Sequence, residues 1–138
     1  MDRDIIINKV QVIERCIARI HEEYNNNSKN LENYTKQDSI ILNIQRACEA
    51  SIDLAMHVVS EKKLGLPQSS REVFDLLCKD KLIDESLADR LKAMVGFRNI
   101  AVHDYQTLNL EVIEKIIDNN LDDLKVFTKK LINKGTGN

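Results

Sequence analysis

Apolar residues recur through this chain in steps of three and four, and that spacing constrains the fold more than any other feature. Ile6, Val10, Ile13, Ile17, Ile20 and Tyr24 make one such series; Ile41, Ile44, Cys48, Ile52, Ala55 and Val59 make a second. Leu87, Leu91, Met94 and Val95 form a third, and Leu110, Ile113, Ile117, Leu121, Leu124, Phe127 and Leu131 a fourth. Steps of three and four return to one side of an α-helix but alternate between the two faces of a strand. Four long amphipathic helices follow. With one proline, four glycines and 4% aromatic residues, the composition suits helices and disfavours a sandwich or barrel.

The punctuation between these series is equally regular. Asn25-Asn26-Asn27-Ser28 ends the first helix, which covers residues 4–24, and a polar loop runs to about Tyr34. Thr35 followed three places later by Asp38 resembles a capping box and is expected to open the second helix. Gly65 and Pro67 close that helix, glycine by taking a left-handed cap and proline by refusing to continue. Ser69-Ser70-Arg71-Glu72 is a Ser-x-x-Glu box opening a short helix with Val73, Phe74, Leu76 and Leu77 inward, which stops near Lys79 to Lys81. Asp84 caps the next helix, and Asn109 or Thr107 the last, which is expected to fray from Gly135 to Asn138. Short connections favour antiparallel neighbours. The expected fold is therefore all-α: one domain over residues 1–138, an up-and-down four-helix bundle with an additional short helix across one end.

A formal charge of −2 and a pI of about 5.9 provide no global positive field for nucleic acid, so any such site must be local. No apolar run approaches the roughly 20 residues of a membrane span, and the N-terminus lacks a signal-peptide pattern, so the expected location is cytoplasmic. Cys16, Cys48 and Cys78 lie about thirty residues apart without metal-finger spacing and read as reduced thiols on apolar helix faces; no metal or other cofactor is expected.

Polar chemistry concentrates at Phe97-Arg98-Asn99-Ile100-Ala101-Val102-His103-Asp104-Tyr105. At about 100° per residue, Asn99 and His103 share a helix face, whereas Arg98 and His103 lie about 140° apart. Arginine and imidazole converge only if the helix ends or tightens between Ile100 and His103, if the arginine side chain bends round, or if a second copy of the chain supplies one of them. A helix C-terminus favours imidazolium at His103. A histidine that exchanges protons beside an arginine that holds an anion suits phosphodiester cleavage in RNA, in which the 2′-hydroxyl is the nucleophile and no metal is needed. A polar joint fastening two helices accounts for the same residues. Asp104 reads as a local cap or solvated charge, and His21 as a surface residue. Glu49, Asp53 and His57 share a stripe on the second helix, either a solvated stripe with Asp53 and His57 paired or a face turned to a shared site. Lys79, Lys81, Arg90 and Lys92 offer local positive charge, interspersed with Asp80, Asp84, Glu85 and Asp89.

The spacing Arg98-x-x-x-x-His103-x-Tyr105 resembles the signature of HEPN-domain toxins, specifically the HepT branch of toxin–antitoxin pairs. Leu91-x-x-Met94-Val95-Gly96, Glu49-Ala50-x-Ile52-Asp53-Leu54-Ala55, the Leu66-Pro67 turn and Phe74-x-x-Leu77 before Leu82-Ile83 extend the resemblance over nearly the whole chain. It implies a helical homodimer acting as a metal-independent endoribonuclease with both copies lining the cleft. In that scheme His103 is general base or acid, Arg98 clamps phosphate, and Asn99 and Asp53 support them. The antitoxin it implies is a minimal nucleotidyltransferase that transfers AMP to Tyr105. The competing expectation is a dimeric binding module, a partner of a nucleotidyltransferase with little nuclease activity.

Overall fold

The structure, a computed structural model, describes residues 3–135. Helices α1 (Arg3–Tyr24) and α2 (Tyr34–Glu61) run antiparallel as a hairpin, and α3 (Glu72–Lys79), α4 (Glu85–His103), α5 (Leu110–Lys115) and α6 (Leu121–Lys130) follow. A π-helical turn over Ile116–Asn120 joins α5 to α6 into one long rod, and a second spans Leu131–Gly135. Packing of α1 on α2, α2 on α4, and α6 on both α4 and α1 closes an all-α bundle, with α3 lying against α2 and α4. No strand occurs among the described residues. The expected fraying beyond Gly135 falls on residues 136–138, outside those described.

All the residues of the first three series are buried, together with Cys16, Ala88, Phe97 and Ala101. The fourth departs at both ends of α5. Leu110 is exposed, and Ile116 enters the core beside Ile117. The series steps from Ile113 to Ile117 to Leu121, and two successive steps of four drift about 80° on an α-helix. The π turn absorbs that drift, because its wider i→i+5 bonding lets Ile116, Ile117 and Leu121 all face inward. On α3, Leu76 is only partly buried.

The caps show where local signals decide and where they compete. Asp84 accepts from the Leu87 amide at 2.8 Å and Asn109 from the Glu111 amide at 2.8 Å, as their spacing anticipates; Ser69 accepts from the Glu72 amide at 3.2 Å, but the helical Arg71 stands at the cap position of α3 without a side-chain bond. The start of α2 differs from expectation. Asn33, extended at φ −81° and ψ 117°, accepts from the Lys36 amide at 3.0 Å and starts the helix before Thr35. Asp38 is thereby released from capping and stands on the helix surface. The α1–α2 connection turns through left-handed Asn25 and Asn26 and then forms a 3-10 helix over Ser28–Glu32 that buries Leu31. At the end of α2, Lys63 takes the left-handed position at φ 54° and Gly65 follows at φ 140°.

One ion pair fastens α4 to α6. Arg90 Nε donates to Asp123 Oδ1 at 2.8 Å, and Asn120 Nδ2 donates to Asp123 Oδ2 at 3.1 Å, so both oxygens of this buried carboxylate are satisfied. Phe127 stacks edge-on against Phe74 with ring centroids 5.6 Å apart, carrying the α3 contact into the bundle interior. Because Phe127 has no exposed surface, Phe127→Ala should cost about 3–5 kcal/mol in urea unfolding followed by circular dichroism. A loss below about 1 kcal/mol would mean that the core closes over the deletion.

A candidate active site at the end of the fourth helix

Helix α4 is regular to its last residue. The Asp104 amide donates to the Ile100 carbonyl at 2.8 Å, an ordinary helical bond, so nothing ends or tightens between Ile100 and His103. Burial of Leu91, Met94, Val95, Phe97 and Ala101 sets the rotation of the helix. That rotation turns Arg98 partly inward while Asn99 and His103 stay exposed. Within one chain, the arginine and histidine therefore point to different sides.

The arginine side chain does not bend round to the imidazole either. Arg98 Nη2 donates to Ser70 Oγ at 3.2 Å, across to the segment before α3. Its Nε is buried with no hydrogen-bond partner, and no carboxylate pairs with the guanidinium among the described residues. The positive charge also reaches Cys48 on α2 and favours its thiolate, but burial prevails and pushes that thiol up to about 12. Arg98 is thus a held cation with unspent donors.

Asn99 lines an open cavity of about 690 Å³ between α4 and the α5 rod, with Gly96, Ile100 and Arg71. Gly96 gives Arg71 its place: a Cβ there would lie 2.8 Å from Arg71 Nη2, while Arg71 Nε reaches the Lys92 carbonyl at 3.4 Å. Of the local cations expected near the motif, Arg90 is spent on Asp123 and Lys92 on Asp75 and Asp89, at 2.8 and 3.5 Å.

Tyr105 opens a 3-10 turn, Tyr105–Thr107, just beyond α4. Its ring is 40% exposed and its hydroxyl donates to Asp38 Oδ1 on α2. Partial burial, then the carboxylate that accepts its proton and repels a phenolate, raise this phenol to about 12. Asp104 is the cap residue, its carbonyl accepting from both the Thr107 amide and hydroxyl. His21 is exposed.

The stripe on α2 resolves differently from its expected pairing. Asp53 is held by Lys9 of α1 at 3.3 Å instead of by His57, because the antiparallel α1 presents an ammonium to that face. No hydrogen bond or ion pair connects Asp53 to Arg98 or His103. His57 Nε2 is buried without a partner. Three polar contacts of the motif escaped sequence reasoning: Ser70 with Arg98, Arg71 over Gly96, and Asp38 with Tyr105. Ser70 and Asp38 lie 28 and 67 residues from their partners, so no helical spacing could have revealed them.

Comparison with known proteins agrees with this architecture. The chain is 52% identical over 124 residues to the mRNA nuclease HepT of Shewanella oneidensis, covering 90% of this chain and 93% of that one. A crystal structure of a toxin–antitoxin complex with AMP-PNP contains a chain that superposes with a TM-score of 0.92 at 48% identity, over 96% of this chain and all of that one. A tri-AMPylated HEPN toxin from Shewanella oneidensis, in complex with MNT antitoxin, superposes with a TM-score of 0.91 at 48% identity, over 96% and 99% of the two chains. The family model that describes HepT-like ribonucleases matches residues 13–131. The chain belongs to the ribonuclease HepT-like family.

Proposed function

We propose that this protein is the toxin of a toxin–antitoxin pair, a metal-independent endoribonuclease of the cytoplasm silenced when a nucleotidyltransferase antitoxin adds AMP to Tyr105. Its membership of a ribonuclease family, the unneutralised Arg98 and the exposed His103 support this reading.

The chemistry is a transfer at phosphorus. The His103 imidazole accepts the proton of the 2′-hydroxyl, the 2′-oxygen forms a bond to phosphorus, and the bond to the 5′-oxygen breaks. The imidazolium returns the proton to that leaving oxygen, giving a 2′,3′-cyclic phosphate and a 5′-hydroxyl end. Arg98 donates to the phosphoryl oxygens as their charge grows, a contribution that is largest away from bulk water. Asn99, on the His103 face of the helix, orients the phosphate. Asp53 supports the site only from a distance, through its hold on α1 by Lys9.

Because Arg98 and His103 diverge within one chain, the active form is a homodimer whose two copies face each other across the cleft. Ile100 and Val112 support that surface: they are large apolar side chains, 45% and 46% exposed, on the wall of the cavity beside the motif. The antitoxin reaction uses the neighbouring phenol. Tyr105 Oη forms a bond to the α-phosphorus of a nucleoside triphosphate, pyrophosphate leaves, and the phenol proton passes to the Asp38 carboxylate that already accepts it. The product places a phosphodiester and a nucleoside two residues from His103, where they bar an RNA strand by charge and bulk.

Arg98→Ala and His103→Ala should each abolish RNA cleavage with the helical circular dichroism unchanged, and EDTA should leave the parent activity intact. Survival of cleavage in both variants would refute the assignment. Mixing the two inactive variants tests the shared cleft: random exchange makes half of the dimers mixed, with one of two sites whole, so about a quarter of the activity should return. No recovery would place each site within one copy. A pH titration tests the phenol. With a Tyr105→Phe reference subtracted, the Tyr105 absorbance step should lie near 12 and move toward the ordinary 10 in Asp38→Ala. An unmoved step would remove Asp38 from contact with the hydroxyl.

A further inference from the structure

A groove of about 530 Å³ runs between α1 and α2 and has the Tyr105 partner, Asp38, as part of its wall. Arg15, Arg19 and Arg46 line it. Arg15 and Arg19 are four apart on α1, and Asp38, Leu42 and Arg46 follow at intervals of four on α2, so each helix turns one stripe into the groove. Arg19 is partly neutralised by Glu22 at 3.5 Å. Arg15 and Arg46 form no ion pair among the described residues. In a chain with a net charge of −2, two unpaired guanidinium groups facing one groove are a local reversal of sign. Between them lie Ala18 and Leu42, and Leu42 is 41% exposed, an apolar floor of the kind on which a base can rest.

We propose that this groove is the binding subsite for a chain of adenylates attached to Tyr105, with Arg15 and Arg46 holding its phosphodiesters and Leu42 supporting an adenine. The inference rests on the AMP-transfer reading above and deepens it. Once Tyr105 Oη carries phosphorus and the exposed Asp38 has released the transferred proton to water, the new anion faces a carboxylate. Repulsion from Asp38 and attraction by the arginines both direct the chain along the groove. From Asp38 to Arg46 α2 rises about 12 Å, a span that a chain of a few nucleotides covers. Each further addition joins the terminal ribose hydroxyl of the chain to the α-phosphorus of another ATP, with loss of pyrophosphate and of the hydroxyl proton. Every unit adds one negative charge for the arginines to hold. A related toxin is tri-AMPylated, so the transfer of more than one AMP has precedent in the family. The groove makes silencing persistent: a tail laid on the protein surface is withdrawn from enzymes that would trim it.

The test compares the parent with Arg15→Ala/Arg46→Ala, each incubated with its nucleotidyltransferase and ATP and weighed as intact protein. The modified proteins are then digested with a phosphodiesterase that works from the free end of the tail. We expect the first AMP to be added to both at similar rates. In the double variant the tail should be removed at least about tenfold faster, since each lost charge-assisted hydrogen bond is worth more than a factor of ten. The Arg15→Lys/Arg46→Lys variant should recover part of the protection. Equal digestion rates would overturn the proposal. Loss of even the first addition in the double variant would also overturn it, by making the groove a docking surface for the enzyme. A parent chain that accepts no AMP at all would instead defeat the AMP-transfer reading, and the subsite with it. Circular dichroism of the double variant separates these results from misfolding.

Discussion

The rotation of α4 about its own axis is the constraint on which the site depends. Five apolar side chains between Leu91 and Ala101 must be buried, and each is worth roughly 1–3 kcal/mol out of water, so the helix cannot turn to suit its polar residues. Arg98 is carried toward Ser70, and Asn99 and His103 are left outside. The buried, unpartnered Nε of Arg98 is a cost accepted at this position, of the sort that persists where a group is kept for a ligand.

The bundle around α4 is braced so that this rotation holds. Arg90 reaches across to Asp123 on α6, and Lys92 to Asp75 on α3. These contacts use up cations that the sequence places close to the motif. Among the described residues, Arg98 and, along the α1–α2 hairpin, Arg15 and Arg46 form no ion pair. Tyr105 stands between those two regions, held by Asp38 just past the end of α4. The modification proposed there would act on both, crowding the motif on one side and meeting the arginines on the other.

The π turn at Ile116–Asn120 illustrates how apolar spacing is converted into shape. Successive steps of four would have walked the last seam off the core, and a local widening of the helix keeps Ile116, Ile117 and Leu121 on it. Leu110 and Val112 stay outside, and Val112 shares the wall of the cavity beside the motif with Ile100 of α4.

Helix number, approximate limits, the caps at Asp84 and Asn109, and the burial of nearly every apolar seam were legible in the sequence, because they rest on periods of a few residues and on side chains that bond their own backbone. The motif itself was legible for the same reason: Arg98, His103 and Tyr105 lie within eight consecutive positions, and their 100° increments already indicated that two of them diverge. Contacts between segments were not legible. Asn33 displaced Thr35 as the cap of α2 because two adjacent signals competed and backbone geometry chose one. Lys9 took Asp53 from His57, Ser70 met Arg98, and Asp38 met Tyr105 only when packing brought distant turns together. Local physics determines which residues share a face. Which faces meet is decided by the burial of the whole core, and that sum exists only in the folded chain.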